Sequence, residues 1–296
     1  MPKMIADDKG ILKGALGQEL AAEFNVDATI FERDYLINAL VWALKGDFAA
    51  AYRQYIADGR ANAELVRDVI KTYCGERLQA AAANASSPPL TVLDFACGYG
   101  RVGRHFRNVM PEVKYVGMDI HRDAIRFNRD VLGLETLLSS QASDQNVVLR
   151  TFDVICALSF FSHVRHEHFL GWLTALHAMM KPGGILMFTT HGRTSQRLLM
   201  PEVVVNPDGY GMIVASEQYD LSTDYYVHAV TYREYVERMI GAVNGLQILN
   251  YSEGSWFGHQ DMFVVKNIKP VGWGPRRMLK LAKAKLKRLA NREVSK

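Results

Sequence analysis

The 296-residue chain has little cysteine, and what it has is scattered. Cys74, Cys97 and Cys156 are odd in number and form no C-x-x-C pair, which excludes a disulfide framework and a cysteine-based zinc site. No apolar run approaches the length needed to span a bilayer. The opening "MPKMIADDKG" lacks the apolar core of a secretory signal, so the expected location is the cytoplasm. There are no internal repeats. Basic charge is also scarce outside one place. Residues 276–296 hold nine Lys and Arg against one acid, a local balance of +8, so the total of +4 leaves the remainder at −4. A body of that sign offers no general surface for an extended nucleic acid. What remains, 49% hydrophobic and 22% charged, fits an ordinary globular protein with ample core.

From about Leu12 to Ala83 the periodicity is helical. "IFERDYLINALVWALKG" sets Ile30, Tyr35, Leu36, Ala39, Leu40 and Ala43 on one stripe, with Gly46 as a stop. "NAELVRDVIKTYCGERL" continues it. Pro88 and Pro89 then block any helix. After Leu90 the rhythm alternates. Strands are predicted at 91–96, 113–118, 135–138, 152–157, 185–190, 246–251 and 262–266, with helices near 102–108, 122–131, 167–180 and 232–240. The pattern predicts a Rossmann-like, doubly wound seven-stranded α/β sheet whose ligands lie beyond the carboxyl ends of the strands. The segment from His191 to Val230 carries Pro201, Pro207, Gly209 and Gly211 and reads as an irregular lid. Three parts are expected: a helical lid or substrate region (1–85), a cofactor domain (86–268) and a basic amphipathic helix (269–296).

The chemistry concentrates in "TVLDFACGYGRVGRHF", where Gly98, Gly100 and Gly103 have G-x-G-x-x-G spacing after a strand. That pattern fits several nucleotide cofactors, and Asp94 separates them. A carboxylate at the end of this strand repels a pyrophosphate but suits a cofactor bearing an ammonium group. Asp119 ends the next strand, 19 residues after Gly100, where a carboxylate can accept ribose hydroxyls. "FDVICALS" and "MMKPGGILMFTTHG" supply the fourth and fifth strands, joined by a Pro-Gly-Gly turn.

"VLDFACGYGR", "VGMDI", "FDVICALSFFSHV", "LGWLTALHAMMKPGGILMFTTHG" and "GHQDMFVV", in that order, resemble the motifs of class I S-adenosylmethionine-dependent methyltransferases, over roughly Leu90 to Asn267 or about 60% of the chain. The likeness is greatest to a subgroup with an Asp-Phe-Gly-Cys-Gly-x-Gly-Arg loop, many of whose members act in glycan or small-metabolite pathways. It implies S-adenosylmethionine as cofactor and a last strand running antiparallel. It further implies a loop of Ala96, Cys97, Gly98 and Gly100 around the methionine moiety. Asp94 lies near the amino group, Asp119 and neighbouring Ile120 at the ribose, and Leu158 and Ser159 near the transferable methyl. Arg101 either is solvated or orients Asp94 or the cofactor carboxylate. Two departures stand out: Ala96 replaces the usual glycine, and "LLSSQAS" offers Ser140 or Gln141 where an acid usually flanks the adenine.

Other readings stay beside these. Asp119 also suits a cap for the helix near Arg122, and Cys97 suits a small packed residue better than a nucleophile. His163, His166 and His168 invite a metal, but their segment turns from loop into helix, and no metal site is expected. A base matters only for a hydroxyl or protonated amine acceptor; His191, closing the fifth strand, and His163, matching the family's histidine beside the cofactor, are the candidates. Tyr210, Tyr225, Tyr226 and Trp256 are candidate acceptor walls, and Tyr52 and Tyr55 candidate lid contacts. The expected activity is methyl transfer to O or N of a small polar acceptor, such as a sugar, glycan or secondary metabolite. The rivals are an RNA or protein methyltransferase, a catalytically idle cofactor-binding partner subunit and, weakest, an NAD dehydrogenase. The tail, with Leu279, Ala282, Leu286 and Leu289 on one stripe, suits peripheral contact with the inner face of an anionic membrane. Acceptor identity and oligomeric state are not readable from these patterns.

Overall fold

The structure is a computed structural model that describes residues 5–6, 11–83, 87–146, 150–216, 218 and 221–268, with side chains from residue 14 onward. The basic tail falls outside the described residues. Two short strands, β1 (Ile5–Ala6) and β2 (Ile11–Lys13), precede α1 (Ala15–Phe24), which ends on Asn25 in the left-handed region at φ 53°. β3 (Ile30–Phe31) pairs with β2. Ile30 and Phe31 are therefore extended, not the start of the expected helix. α2 (Tyr35–Ala43) begins later because the Asp34 carboxylate accepts the Leu36 amide at 2.9 Å, a side-chain N-cap.

α3 (Phe48–Ala83) runs 36 residues, about 54 Å at helical rise, and belongs to two cores. Its first half packs Tyr52, Tyr55 and Ile56 with Leu20, Ile30 and Ile37 of the leader. Its second half packs Val66, Val69, Ile70 and Cys74 against Val92 and Val154 of the sheet and Phe106 of the helix that follows the first sheet strand. The expected boundary at residues 85 and 86 thus follows a helix that already forms part of the sheet's flank.

Beyond Pro88 and Pro89 come β4 (Thr91–Phe95), α4 (Gly103–Val109), β5 (Lys114–Asp119), α5 (Arg122–Asp130), β6 (Thr136–Leu138), β7 (Phe152–Ala157), α6 (His166–Ala178) and β8 (Met180–His191). α7 (Arg193–Leu199), β9 (Tyr210–Ile213), β10 (His228–Thr231), α8 (Arg233–Ala242), β11 (Leu246–Trp256) and β12 (Gln260–Asn267) complete the described chain. The main sheet has seven strands in the order β11-β12-β8-β7-β4-β5-β6. β12, the last in sequence, is antiparallel to both neighbours; β4 through β8 pair in parallel. This is the Rossmann-like doubly wound α/β arrangement. The chain leaves β4 in one direction through β5 and β6, then returns to β7 on its other side, which makes β4/β7 the switch point where a ligand crevice opens.

The segment from His191 to Val230 is more regular than its prolines and glycines suggest. It contains α7 and a two-stranded ladder pairing Tyr210 with Thr231 and Ile213 with His228. Each strand is four residues long, too short for alternation to stand out beside turn residues. Among the described residues no helix is long and apolar enough to cross a membrane.

Candidate active site

A cavity of about 1030 Å³ opens at the switch point, and every expected cofactor residue except Gly100 lines it: Asp94, Ala96, Cys97, Gly98, Arg101, Asp119, Ile120, Ser140, Gln141, Leu158 and Ser159. The loop after β4 makes this possible. Ala96 (φ 60°), Gly98 (φ 53°) and Gly100 (φ 71°) all adopt the left-handed region. A Cβ on Gly98 would meet nothing within 4 Å, so the glycine is there for its backbone conformation and leaves the cavity side of the loop open. A Cβ on Gly100 would lie 2.4 Å from Asn128 Oδ1. Gly100 therefore serves close approach to α5 and not the ligand directly. Gly103 leaves room for the Tyr115 hydroxyl, which a Cβ there would meet at 2.6 Å. That hydroxyl donates to Asp94 Oδ2 at 2.7 Å, so the third glycine supports the aspartate.

Asp94 is 3% exposed. Burial pushes its carboxyl up to about 6; the bonds from Tyr115 and Cys156 oppose this, Asp119 adds to it, and Arg101 pulls back. The group is buried and short of positive charge. Asp119 accepts the Gly98 amide on Oδ2 at 2.8 Å and the His121 amide on Oδ1 at 2.9 Å, one residue before α5. The N-cap of α5 is His121, so Asp119 braces the turn that leads into the helix and does not cap it, while lining the cavity. The Cys97 thiol is pushed well above its ordinary range by burial and by Asp119 and Asp94, which keeps it neutral and unreactive. The donor set fits S-adenosylmethionine on this geometry. Two carboxylates face the crevice, one of them lacking a full cationic partner, beside open backbone and the apolar Ile120 and Leu158. The same acids disfavour a pyrophosphate.

The leader and the last hairpin close over this end. A Cβ on Gly59 of α3 would lie 2.2 Å from the Arg101 carbonyl oxygen, so the helix backbone rests directly on the loop. Trp256 at the end of β11 donates its indole N–H to Asn62 Oδ1 of α3 at 2.7 Å. Arg101 is held between Asp58, at 3.7 Å, and the Phe257 ring, so it is neither fully solvated nor bonded to Asp94. Tyr55 lines the cavity and donates its hydroxyl to Asp34, whereas Tyr52 is buried in the leader core and bonds the Ala28 carbonyl.

The two candidate bases differ sharply. His163 lines the cavity, its Nδ1 3.0 Å from the Val227 carbonyl oxygen and its ring stacked on Tyr226 at 4.4 Å and 5°. A carbonyl oxygen only accepts, so Nδ1 carries the proton and the basic lone pair is on Nε2. The Val227 amide in turn donates to the His163 carbonyl at 3.0 Å, fixing the segment at both ends. His191 does not reach the cavity lining. It is 7% exposed, and Gln260 Nε2 lies 3.2 Å from its Nε2 and 3.0 Å from Ser159 Oγ. Burial, then His163, His259 and His228, lower its pKa to about 3, which leaves a neutral, weakly basic ring suited to orienting Gln260. His166 and His168 bond Tyr235 and the Asp224 carbonyl respectively. Tyr225, Tyr226 and Trp256 line the cavity; Tyr210 is buried, its hydroxyl on the Val164 carbonyl.

The sequence reasoning passed over a further wall. Tyr35, Leu36, Ala39 and Trp42 of α2 line the same cavity as Asp94. The available signal was the near-continuous apolarity of "YLINALVWA", which exceeds what one core-facing stripe requires.

The sheet and its crevice define an α/β protein with a cofactor cleft at the switch point. A family described as "Methyltransferase domain" matches residues 65–224, just over half of the chain. The chain belongs to this family. A fatty-acid O-methyltransferase from Mycolicibacterium smegmatis (strain ATCC 700084 / mc(2)155) is 26% identical over 125 residues, 41% of this chain; the chain spans 44% of the length of that relative. Among solved structures, DesVI of Streptomyces venezuelae is 16% identical and aligns over 77% of this chain and 96% of its own, with a TM-score of 0.49. An S-adenosylmethionine-bound amino pentose methyltransferase of Micromonospora echinaspora is 17% identical over 71% of this chain and 91% of its own, with a TM-score of 0.46. Likeness at that level carries no information about the acceptor.

Proposed function

We propose that this methyltransferase uses S-adenosylmethionine and transfers the methyl to an oxygen or nitrogen of a small acceptor, a sugar, glycan or other secondary metabolite, with His163 as proton acceptor. The observation that carries the reading is His163 itself. Its proton is held on Nδ1 by Val227, and its ring lines the same cavity as Asp94 and Asp119. The bound cofactor supplies a sulfonium methyl that is already activated toward a lone pair, so the chain's task is positioning, water exclusion and handling one proton. Asp94 holds the ammonium end and Asp119 the ribose hydroxyls, with the Gly98 backbone alongside. Ser140 and Gln141 flank the adenine. Ser159, fixed by the Thr189 hydroxyl at 2.7 Å and by Gln260, keeps β7's end in place beside the methyl. His163 Nε2 takes the acceptor's proton as the new bond forms.

The test is labelled-methyl transfer into small-molecule and glycan extracts by wild type and His163→Gln. The variant should lose about 10²- to 10⁴-fold in kcat while binding S-adenosylhomocysteine within about twofold of wild type. Incorporation that survives in His163→Gln contradicts the role given to this residue. Tight cofactor binding with no incorporation into any fraction contradicts the proposed activity.

A further inference from the structure

α2 is apolar on two sides, one in the leader core and the other on the cavity. Ile37 is 1% exposed in the leader core, and Leu40 and Val41 pack beside it. Tyr35, Ala39 and Trp42, spaced i, i+4, i+7, line the cavity together with Leu36. Tyr35 is 37%, Leu36 39% and Trp42 84% exposed. A helix on a protein surface ordinarily turns charged residues outward, yet the nine residues of α2 include none. The cavity side of α2, with Leu36 and Trp42 exposed on it, belongs to the same cavity that holds His163 and Asp94, so a molecule packed on it enters with the acceptor. The cavity volume, about 1030 Å³, lies at the top of the ~300–1,000 Å³ range for single-ligand pockets, which suits a cofactor and a second, extended molecule.

Resting on the methyltransferase reading above, we infer that the acceptor is an amphiphile. Its methylated head lies against His163 and Tyr226, and an aliphatic chain runs along Tyr35, Leu36, Ala39 and Trp42. Leu221 and Tyr225 line the same cavity, and Tyr225 is stacked on His168 at 4.9 Å and 12°, a rigid apolar face. Glu32 and Arg33, both exposed, also line it. Tyr226 lines the cavity with its ring packed on the base.

The experiment is calorimetric titration of the full chain saturated with S-adenosylhomocysteine, using methyl, hexyl and octyl β-glucosides below their micelle concentrations. A decanoate arm separates a carboxylate head from a sugar head. Affinity should rise about twofold per methylene, below the full value because the wall is partly open. Trp42→Gln and Leu36→Gln should each flatten that gradient at least fivefold at octyl, with thermal midpoint and S-adenosylhomocysteine affinity held near wild type. Affinity independent of chain length overturns the inference, as does an undiminished gradient in both variants. A gradient that appears only when Leu286 and Leu289 are replaced by lysine makes the chain's own tail the occupant and overturns it. A dimer that Trp42→Gln dissociates does so in favour of a second copy. Failure of S-adenosylhomocysteine itself to bind strikes the underlying reading instead.

Discussion

Two buried aspartates sit on neighbouring strands, and the fold treats them in opposite ways. Asp153, near the amino end of β7, accepts the Thr91 amide at 2.8 Å, the Thr91 hydroxyl at 2.9 Å and Lys181 Nζ at 2.6 Å, and pairs with Arg77. Burial alone would raise its pKa, but these partners hold it below the ordinary carboxylate value. Asp94, at the carboxyl end of β4, is equally buried at 3% exposure, yet its hydrogen-bond donors are a phenol and a thiol. At the base of the sheet the charge is fully compensated within the chain and the role is structural. At the crevice one carboxylate is left wanting a cation, and that difference marks the functional end.

The largest effect should come from breaking the compensated site. Asp153→Ala removes the acceptor for Thr91 and strands two cations, and should destabilise the protein by about 3 kcal/mol in urea denaturation without altering S-adenosylhomocysteine affinity. The wild-type contribution is present above the unfolded aspartate value and lost as pH falls through the lowered folded one.

Asp94→Asn should do the reverse. With its carboxyl raised from 3.8 to about 6, the charged form is penalised in the folded state. The variant should therefore gain at most about 3 kcal/mol at pH 7.5. That gain should shrink as pH falls below about 6 and vanish only below about 3, where the wild-type group is protonated in both states. At pH 7.5 the variant's cofactor affinity should be roughly 10- to 100-fold below wild type, the worth of one charge-assisted bond, a deficit that closes as pH falls below about 6. Stability lost and affinity kept would erase the contrast between the two aspartates. The smallest expected effect is at Ala96, whose φ of 60° is costly for any residue with a Cβ. Ala96→Gly should raise stability by about 1 kcal/mol or less, offset in part by glycine's greater unfolded entropy, with cofactor affinity within about twofold.

Much of this was legible in the chain. Strand periodicity and Pro88-Pro89 located all seven sheet strands, because apolar runs and breakers are local signals; Pro182, Gly183 and Gly184, expected as a turn before the fifth strand, instead lie inside β8. Asp94, Asp119, Leu158 and Ser159 were found because strand ends at a switch point converge by topology. What escaped depended on packing between distant segments. The departure at Ala96 was visible, but its left-handed φ was not. His191 ends β8 and His163 follows the end of β7; both are buried, and only the tertiary placement of Gln260 and Val227 separates a weakly basic ring behind the wall from one that lines the cavity. The stripe through Tyr35, Leu36 and Ala39 was legible as an apolar face, but periodicity does not report what such a face meets. Gly103 was legible only as the third glycine of the spacing; that it frees the hydroxyl that holds Asp94 depends on the packing of Tyr115.

The central claim, that Asp94 is a buried carboxylate waiting for a cationic cofactor, is tested most directly by the pH dependence of S-adenosylhomocysteine affinity between pH 5 and 7.5, where the ligand's amino group stays largely protonated. Calorimetry on wild type should show affinity rising about tenfold per unit below pH 6, levelling above it, and a proton released on binding at the acid end. Asp94→Asn should abolish the slope. Affinity that is flat across this range in the wild-type protein, or a slope unchanged in Asp94→Asn, contradicts the account.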